Sequence, residues 1–187
     1  MKSILIIDNY DSFTYNLEQQ LGSFFDGKIV VKRNDAIKLL EVINFDAIVI
    51  SPGPGRPEDV HLTNAIIKRY YAQKPILGIC LGMQCINELF AGKTSLADYP
   101  MHGKISTISH DKMGLFKNIP PNIKVARYHS LICDVNNDKL QVTARNNDGV
   151  IMAIRHKTLP IFGVQFHPES FLTEFGDKMM KNFLELI

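Results

Sequence analysis

A cysteine lies between two glycines in the segment Gly78-Ile79-Cys80-Leu81-Gly82, directly after a short apolar run. The spacing matches the G-x-nucleophile-x-G pattern of a strand-to-helix turn, with sulfur where many hydrolases carry a serine oxygen. Glycines suit such a turn because they have no Cβ to clash where the chain bends sharply. The pattern predicts that Cys80 is a nucleophile at the end of a strand. The alternative for a lone buried cysteine is an unreactive packing residue.

A histidine and a carboxylate follow a second apolar run, in His167-Pro168-Glu169. His167 can take the proton of the thiol and later give it to a leaving group. Pro168 favours an extended backbone at the preceding residue. Glu169 can then bind the far ring nitrogen and fix its tautomer, although a solvated carboxylate is the alternative. Thiol, imidazole and carboxylate together predict covalent acyl transfer.

Acyl transfer also needs N–H donors for the oxyanion that develops on the substrate. In turns of this kind the residue after the nucleophile supplies one donor, which is Leu81 here. We expect the second donor to be Gly53, in the turn Ser51-Pro52-Gly53-Pro54-Gly55. Its prolines stiffen the loop, while the glycine exposes its N–H without side-chain obstruction. The alternative for this turn is an ordinary strand-to-helix connection.

The elements that position these residues follow from the apolar pattern. The first half alternates near-continuous apolar strands with helices, which is typical of a parallel sheet covered on both faces. The second half has short apolar runs separated by turn residues, which is typical of antiparallel strands. We predict an α/β fold with an open, mostly parallel sheet, helices on both faces and an antiparallel section in the second half. The predicted strands are residues 3–8, 28–33, 47–50, 76–79, 105–109, 124–128, 140–144, 151–155 and 161–166.

Helices are predicted over residues 12–25, 37–42, 60–71, 81–91 and 174–186. Asp11 or Ser12 is expected to cap the first helix and Asp59 the third. Residues 136–138 and 146–149 are predicted to be tight turns between antiparallel strands. Ligand sites of open α/β sheets lie beyond the carboxyl ends of the strands. We therefore expect Asn9, the turn at Gly53, Cys80 and His167 to meet at one edge of the sheet.

Composition limits the class of protein. The chain has 187 residues, of which 45% are hydrophobic and 21% charged, with a net charge of +2. These values predict one globular domain over residues 1–187, and the scattered cations do not indicate a nucleic-acid partner. No apolar run approaches the roughly 20 residues of a membrane span, so no membrane partner is expected. Three cysteines without framework spacing indicate reduced thiols, and the histidines show no metal-ligand spacing.

Six segments in order resemble the class I glutamine amidotransferases, which use a Cys-His-Glu triad. The resemblance extends nearly end to end, and within the family it is strongest to the small subunits of anthranilate synthase and aminodeoxychorismate synthase. The segments that carry it are residues 8–17 (DNYDSFTYNL), 51–55 (SPGPG), 78–84 (GICLGMQ), 101–104 (MHGK), 127–131 (RYHSL) and 165–170 (QFHPES).

The resemblance implies that Cys80 attacks the side-chain amide of glutamine and forms a γ-glutamyl thioester that water hydrolyses to glutamate. No cofactor is implied in this subunit. The ammonia would pass to a large synthase subunit that uses chorismate, and the segment from Asn9 to Leu17 resembles the edge that faces this partner. The positions that match glutamine-holding residues of the family are Gly53, Pro54, Gly55, Gln84, Ser130 and Leu131.

The product and some details stay open at this stage. The main expectation is anthranilate, for tryptophan biosynthesis, and the alternative is aminodeoxychorismate, for folate. A stand-alone γ-glutamyl hydrolase and a non-catalytic subunit are further alternatives. Met83 and Phe175 stand where the family commonly has histidine, and residues 96–99 lack its glycine-rich, basic pattern. The expected location is the cytoplasm, or an organelle stroma if the gene is organelle-encoded.

Overall fold

The computed structural model describes residues 1–97 and 103–187. The predicted motif at 101–104 and the departure at 96–99 therefore lie partly outside the described residues. The strands are β1 (Ser3–Asp8), β2 (Lys28–Arg33), β3 (Ala47–Ile50), β4 (Ile76–Ile79), β5 (Lys93–Leu96), β6 (Lys104–His110), β7 (Asn122–Arg127), β8 (Leu131–Asp134), β9 (Leu140–Asn146), β10 (Ile151–His156) and β11 (Ile161–Val164). The helices are α1 (Thr14–Gly22), α2 (His61–Tyr70), α3 (Leu81–Leu89) and α4 (Gly176–Leu184).

One large sheet runs through both halves of the described chain, in the order β2-β1-β3-β4-β11-β10-β9-β6-β7. The first five strands in this order are parallel. The remaining neighbours pair antiparallel. This arrangement confirms the predicted α/β fold. It also places β11 directly beside β4, so two strand ends that are far apart in sequence become neighbours.

Helices cover both faces of the parallel section, because alternate side chains of each strand point to opposite faces. Ile4 and Ile6 of β1 belong to one apolar cluster, which includes Leu17 of α1 and Met179 of α4. Residues in between, such as Leu5, belong to a second cluster that holds buried side chains of α2 and α3. In the described part of the chain, no helix is long and apolar enough to cross a membrane.

Several predicted boundaries and caps were wrong. The first helix begins at Thr14 without a side-chain cap, because the Asp11 carboxylate accepts the N–H of Phe13 before the helix starts. The carboxylate of Asp59 accepts the N–H of Arg56 and closes a short 3-10 turn, so it does not cap α2. Residues 37–42 form no α-helix, and a 3-10 segment, Leu39–Asn44, lies there instead.

The second half also differs from the prediction in its pairing. The sequence pattern missed β5 and β8, which pair with each other in a separate two-stranded sheet. The turn at 136–138 therefore connects two sheets and does not join two paired strands. The turn at 146–149 does join the antiparallel pair β9 and β10, as predicted. Both missed strands are only four residues long, and β5 is mostly exposed, so its sequence shows little apolar alternation.

Candidate active site

Cys80 lies in a strained turn between β4 and α3. Its backbone has φ 53° and ψ −103°, outside the region that a residue with a Cβ prefers. Two hydrogen bonds hold this geometry. The Cys80 N–H donates to the carbonyl of Val164 at 2.7 Å, and the Cys80 carbonyl accepts the N–H of Gln84 at 3.1 Å. The elbow predicted from the glycine spacing is therefore present, and Cys80 is 7% exposed.

The two glycines of the motif are needed because the elbow packs backbone against backbone. A Cβ on Gly78 would lie 2.4 Å from the carbonyl carbon and oxygen of Gly82. A Cβ on Gly82 would lie 2.8 Å from the carbonyl oxygen of Ile50, at the end of β3. Real Cβ atoms do not approach other atoms so closely, so any side chain at either position would push the turn away from the sheet.

His167 follows β11 and is fixed by its backbone and its ring contacts. Its N–H donates to the carbonyl of Ala126 at 3.1 Å, and its carbonyl accepts the hydroxyl of Thr173 at 2.6 Å. The rings of Phe13 and Tyr128 pack edge-on against the imidazole, with centroid distances of 5.4 Å and 5.1 Å. The imidazole is therefore held between α1 and the end of β7.

The imidazole of His167 and the carboxylate of Glu169 form a buried pair. Nδ1 lies 2.7 Å from Oε1, and the two side chains are 3% and 0% exposed. A carboxylate only accepts hydrogen bonds, so Nδ1 carries the proton and Nε2 is left for the proton of a substrate or thiol. Nε2 is buried and has no hydrogen-bond partner among the described residues.

The charge on His167 follows from its neighbours. Burial is the largest influence and by itself lowers the pKa of His167. The Cys80 thiol and the Glu169 carboxylate together outweigh burial and raise this pKa to about 10. Hydrogen bonding contributes more to this rise than attraction between opposite charges, and both are strong where water is excluded. The arrangement can therefore hold a protonated imidazole beside the sulfur of Cys80, and the thiolate is the form in which sulfur attacks carbonyl carbon.

The turn at Gly53 lies against the elbow. A Cβ on Gly53 would be 2.6 Å from the carbonyl oxygen of Asn9 and 3.0 Å from the Leu81 side chain. The two predicted oxyanion donors are therefore neighbours. Asn9 secures the turn, since its Nδ2 donates to the carbonyl of Ser51 at 3.0 Å. Its Oδ1 accepts the hydroxyl of Thr63, also at 3.0 Å.

The other residues that were predicted to hold glutamine differ in their burial and hydrogen bonds. Pro54 and Gly55 are exposed in the turn, and Gly55 has φ +81°, which suits glycine. Gln84 is buried on α3 and donates to Gln165. Ser130 is exposed, and its carbonyl accepts the N–H of Ala97. Leu131 is buried, and its carbonyl lies 2.8 Å from Nδ1 of His129.

Sequence reasoning assigned no role in the site to five residues that contact this centre: Phe13, Tyr128, His129, Gln165 and Thr173. Gln165 could have been found, because it lies two residues before His167 within the predicted strand 161–166, whose alternate residues face the same side. His129 is buried, and burial followed by the nearby Arg127 cation lowers its pKa to about 4. A neutral ring can accept the Arg127 Nε–H at Nε2, where the distance is 3.0 Å. His129 therefore connects a buried cation to the carbonyl of Leu131.

The chain belongs to the class I glutamine amidotransferase family. The family's sequence profile, Glutamine amidotransferase class-I, matches residues 5–187. This result confirms the family that the six segments predicted. A solved structure described as a GMP synthase component from Thermoplasma acidophilum has a TM-score of 0.90 and 26% identity, covering 100% of this chain and 94% of the other.

More similar sequences are named as components of anthranilate or aminodeoxychorismate synthase or as tryptophan biosynthesis proteins. Anthranilate synthase component 2 of Cyanophora paradoxa is 49% identical, over 98% of this chain and 99% of the relative. Aminodeoxychorismate/anthranilate synthase component 2 of Bacillus subtilis (strain 168) is 47% identical, over 97% and 95%. The multifunctional tryptophan biosynthesis protein of Phycomyces blakesleeanus is 51% identical over 97% of this chain, which spans only 24% of that longer protein.

Proposed function

We propose that residues 1–187 form one glutaminase domain in which Cys80, His167 and Glu169 are the catalytic residues. The observation that carries this proposal is the strained Cys80 elbow beside a buried His167–Glu169 pair. The Cys80 thiolate attacks the side-chain amide carbon of glutamine. The resulting oxyanion accepts hydrogen bonds from the backbone N–H groups of Gly53 and Leu81.

His167 then donates its proton to the amide nitrogen, and ammonia leaves as the C–N bond breaks. This step leaves a γ-glutamyl thioester on Cys80. A water molecule gives a proton to Nε2 of His167 and attacks the thioester carbon, which releases glutamate and the thiolate. Every step uses groups of the chain, glutamine and water, so the proposed reaction involves no cofactor in this subunit.

Glutamine itself would be held by Gly53, Pro54, Gly55, Gln84, Ser130 and Leu131. Backbone groups of the exposed turn at Gly55 and of Ser130 suit the α-amino and α-carboxylate groups of the substrate. The buried carboxamide of Gln84 supplies a donor and an acceptor close to the nucleophile. This division agrees with the structure's burial pattern, in which the turn and Ser130 are exposed and Gln84 is buried.

We propose that the ammonia serves a large synthase subunit that converts chorismate to anthranilate. Support comes from the full-length similarity to anthranilate synthase component 2. The second candidate is aminodeoxychorismate, because the Bacillus subtilis relative is named for both products. The proposed contact edge is the segment from Asn9 to Leu17, in which Tyr10 and Tyr15 are 52% and 61% exposed. The proposed location is the cytoplasm or an organelle stroma, where three free thiols stay reduced.

The test is reconstitution with the synthase subunit from the same organism, supplied with chorismate and either glutamine or ammonium. We expect glutamate release to rise strongly when partner and chorismate are both present, and the fluorescence of the product to identify anthranilate. The Cys80→Ser variant should lose glutamine-dependent synthesis and keep ammonium-dependent synthesis. Equal glutaminase rates with and without the partner would instead support a stand-alone γ-glutamyl hydrolase. Glutamate release without anthranilate would favour aminodeoxychorismate.

A further inference from the structure

Gln165 lies beside the candidate nucleophile because of the strand register. Val164 of β11 pairs with Ile79 of β4 in a parallel ladder. The next residues along the two strands, Gln165 and Cys80, are therefore neighbours as well. Gln165 is 0% exposed, and its backbone N–H donates to the carbonyl of Met152 at 2.9 Å. Both its position and its burial are thus fixed by the central sheet.

The carboxamide of Gln165 uses both of its ends in the site. Nε2 lies 3.5 Å from Sγ of Cys80, within the range of an N–H···S hydrogen bond. Oε1 accepts Nε2 of Gln84 at 3.3 Å. A chain of two hydrogen bonds therefore runs from Gln84 on α3, through Gln165 directly after β11, to the sulfur at the elbow.

Only one orientation of the Gln165 carboxamide suits a charged sulfur. The oxygen and nitrogen of an amide are assigned from the hydrogen-bond network. If the group were flipped, its oxygen would face the thiolate and repel it. The donor from Gln84 opposes this flip, because it requires an acceptor at the opposite end of the carboxamide. With Gln84 as the donor, the N–H of Gln165 is therefore the end that faces sulfur.

We propose that Gln165 is a further catalytic residue, one that donates a hydrogen bond to the Cys80 thiolate while Gln84 holds its carboxamide in the donating orientation. This inference rests on the proposed glutaminase function of Cys80. A thiolate that is 7% exposed has little water to solvate it, so it depends on donors from the protein. Hydrogen bonds to an ionised acceptor are roughly twice as strong as neutral ones, so the contact favours the thiolate over the thiol.

Removing the Gln165 donor has two opposing effects on the alkylation rate of Cys80, and together they give its expected change. Removing a hydrogen bond to a charged group shifts the equilibrium from thiolate toward thiol by about 10- to 100-fold. A less stabilised thiolate is, however, more nucleophilic, and this recovers about half of the loss on a logarithmic scale. The rate of alkylation of Cys80 should therefore fall by about 3- to 10-fold when the donor is removed.

The experiment measures alkylation of Cys80 by iodoacetamide in the free chain near neutral pH, followed by peptide mass spectrometry, which separates Cys80 from Cys85 and Cys133. Gln165→Met keeps the length of the side chain without a donor, and Gln165→Glu keeps its shape with an added negative charge. We expect slower alkylation in both variants, more so in Gln165→Glu. Gln84→Met should slow it less, because the Gln165 donor remains but is no longer oriented. The matched control is Gln141→Met, a partner of Arg155 on the surface of β9, which should react at the wild-type rate.

Wild-type rates in both folded Gln165 variants would overturn the proposal. If both variants fail to fold, the unaltered protein provides the second measurement by NMR. The Gln165 side-chain amide protons should shift with pH along the same curve as the alkylation rate, and unshifted protons would contradict the contact. Neither measurement involves glutamine. A failed glutaminase assay with slowed alkylation would therefore reject the proposed function while leaving the donor role of Gln165 supported.

Discussion

At the scale of single residues, the site depends on a charge pair that is almost entirely buried. The side chain of His167 is 3% exposed and that of Glu169 is 0% exposed, so water cannot replace either partner of the ion pair. A pair of this kind fixes the geometry and protonation of the imidazole, and removing one partner leaves the other buried without compensation. Loss of the Glu169 charge should therefore impair chemistry more than glutamine binding.

The first prediction concerns Glu169→Gln, which keeps the shape of the side chain and removes its charge. We expect kcat for glutamine hydrolysis to fall about 100-fold, with KM nearly unchanged, because Glu169 acts on the base and not on the substrate. Steady-state kinetics of the reconstituted complex measure both constants. Glu185→Gln is the control, since Glu185 pairs with Lys117 at an exposed position. A fall in kcat below threefold would exclude an orienting role for Glu169.

The second prediction concerns the pH dependence of stability. The pKa of His167 is raised from 6.5 to about 10, because the Cys80 thiol and the Glu169 carboxylate outweigh burial. The folded state then binds a proton that the unfolded state has released. The stabilisation is fully present below pH 6.5 and is lost as the pH rises to about 10. Urea unfolding across this window should show a decline that is weaker in Glu169→Gln. Equal slopes in the two proteins would contradict the assignment.

At the scale of secondary structure, the elbow works because two glycines let α3 start against the end of β3. The third prediction compares two substitutions of glycine by alanine. Gly78→Ala places a Cβ at 2.4 Å from backbone atoms of Gly82, so we expect a loss of about 1–3 kcal/mol in the free energy of unfolding. Gly22→Ala, at the end of α1, meets only a side-chain atom at 3.8 Å. It should be neutral or stabilise by up to about 1 kcal/mol.

Chemical denaturation measures both changes, and iodoacetamide alkylation reports the elbow separately. Gly78→Ala should also alter the reactivity of Cys80, because the strained backbone of this residue depends on the close packing. If Gly78→Ala were as stable as the wild type, the steric account of the motif would be wrong.

Much of the secondary structure could be predicted from sequence, and the wrong predictions have physical causes. The apolar runs of β1, β3 and β4 are fully buried apart from the first residue of β1, so their patterns were unambiguous. The helix caps could not be predicted in this way, because a short acidic side chain such as Asp11 or Asp59 can accept a local N–H before a helix begins. The sequence pattern missed β5 because it is mostly exposed and pairs with a strand that is distant in sequence.

At the scale of the whole molecule, the sheet order brings the predicted residues together. The insertion of β11 beside β4 places His167 near Cys80, although they are far apart along the chain. The sequence predicted both residues and the edge they share. It missed Gln165 and His129, whose roles depend on neighbours that only the tertiary structure supplies. A glutamine directly after a strand carries no local signal of the sulfur beside it.

An exposed aromatic surface adjoins this edge. Phe171 is 94% exposed, four residues after His167, and lines a cavity of about 440 Å³ together with Phe13 and Asn16. Tyr15, which precedes Asn16 on α1, is 61% exposed. Large exposed aromatic side chains favour protein contact. We expect the proposed synthase subunit to cover this surface.

The fourth prediction tests this surface with Phe171→Ala and Tyr15→Ala. Each should weaken binding of the synthase subunit about tenfold or more and leave the free energy of unfolding nearly unchanged. Leu40→Ala is the control, since Leu40 is 71% exposed on the 3-10 segment between β2 and β3 and does not line this cavity. Titration calorimetry measures the affinities. Wild-type affinity in both aromatic variants would place the contact elsewhere.

The most direct test of the central claim is a search for the γ-glutamyl thioester. The reconstituted complex turning over glutamine and chorismate is quenched in acid, and the peptide that contains Cys80 is analysed by mass spectrometry. We predict a γ-glutamyl adduct on Cys80 that accumulates in the wild type and is absent in Cys80→Ala. Glutamate release by Cys80→Ala at the wild-type rate, without any adduct on the wild-type peptide, would contradict the account.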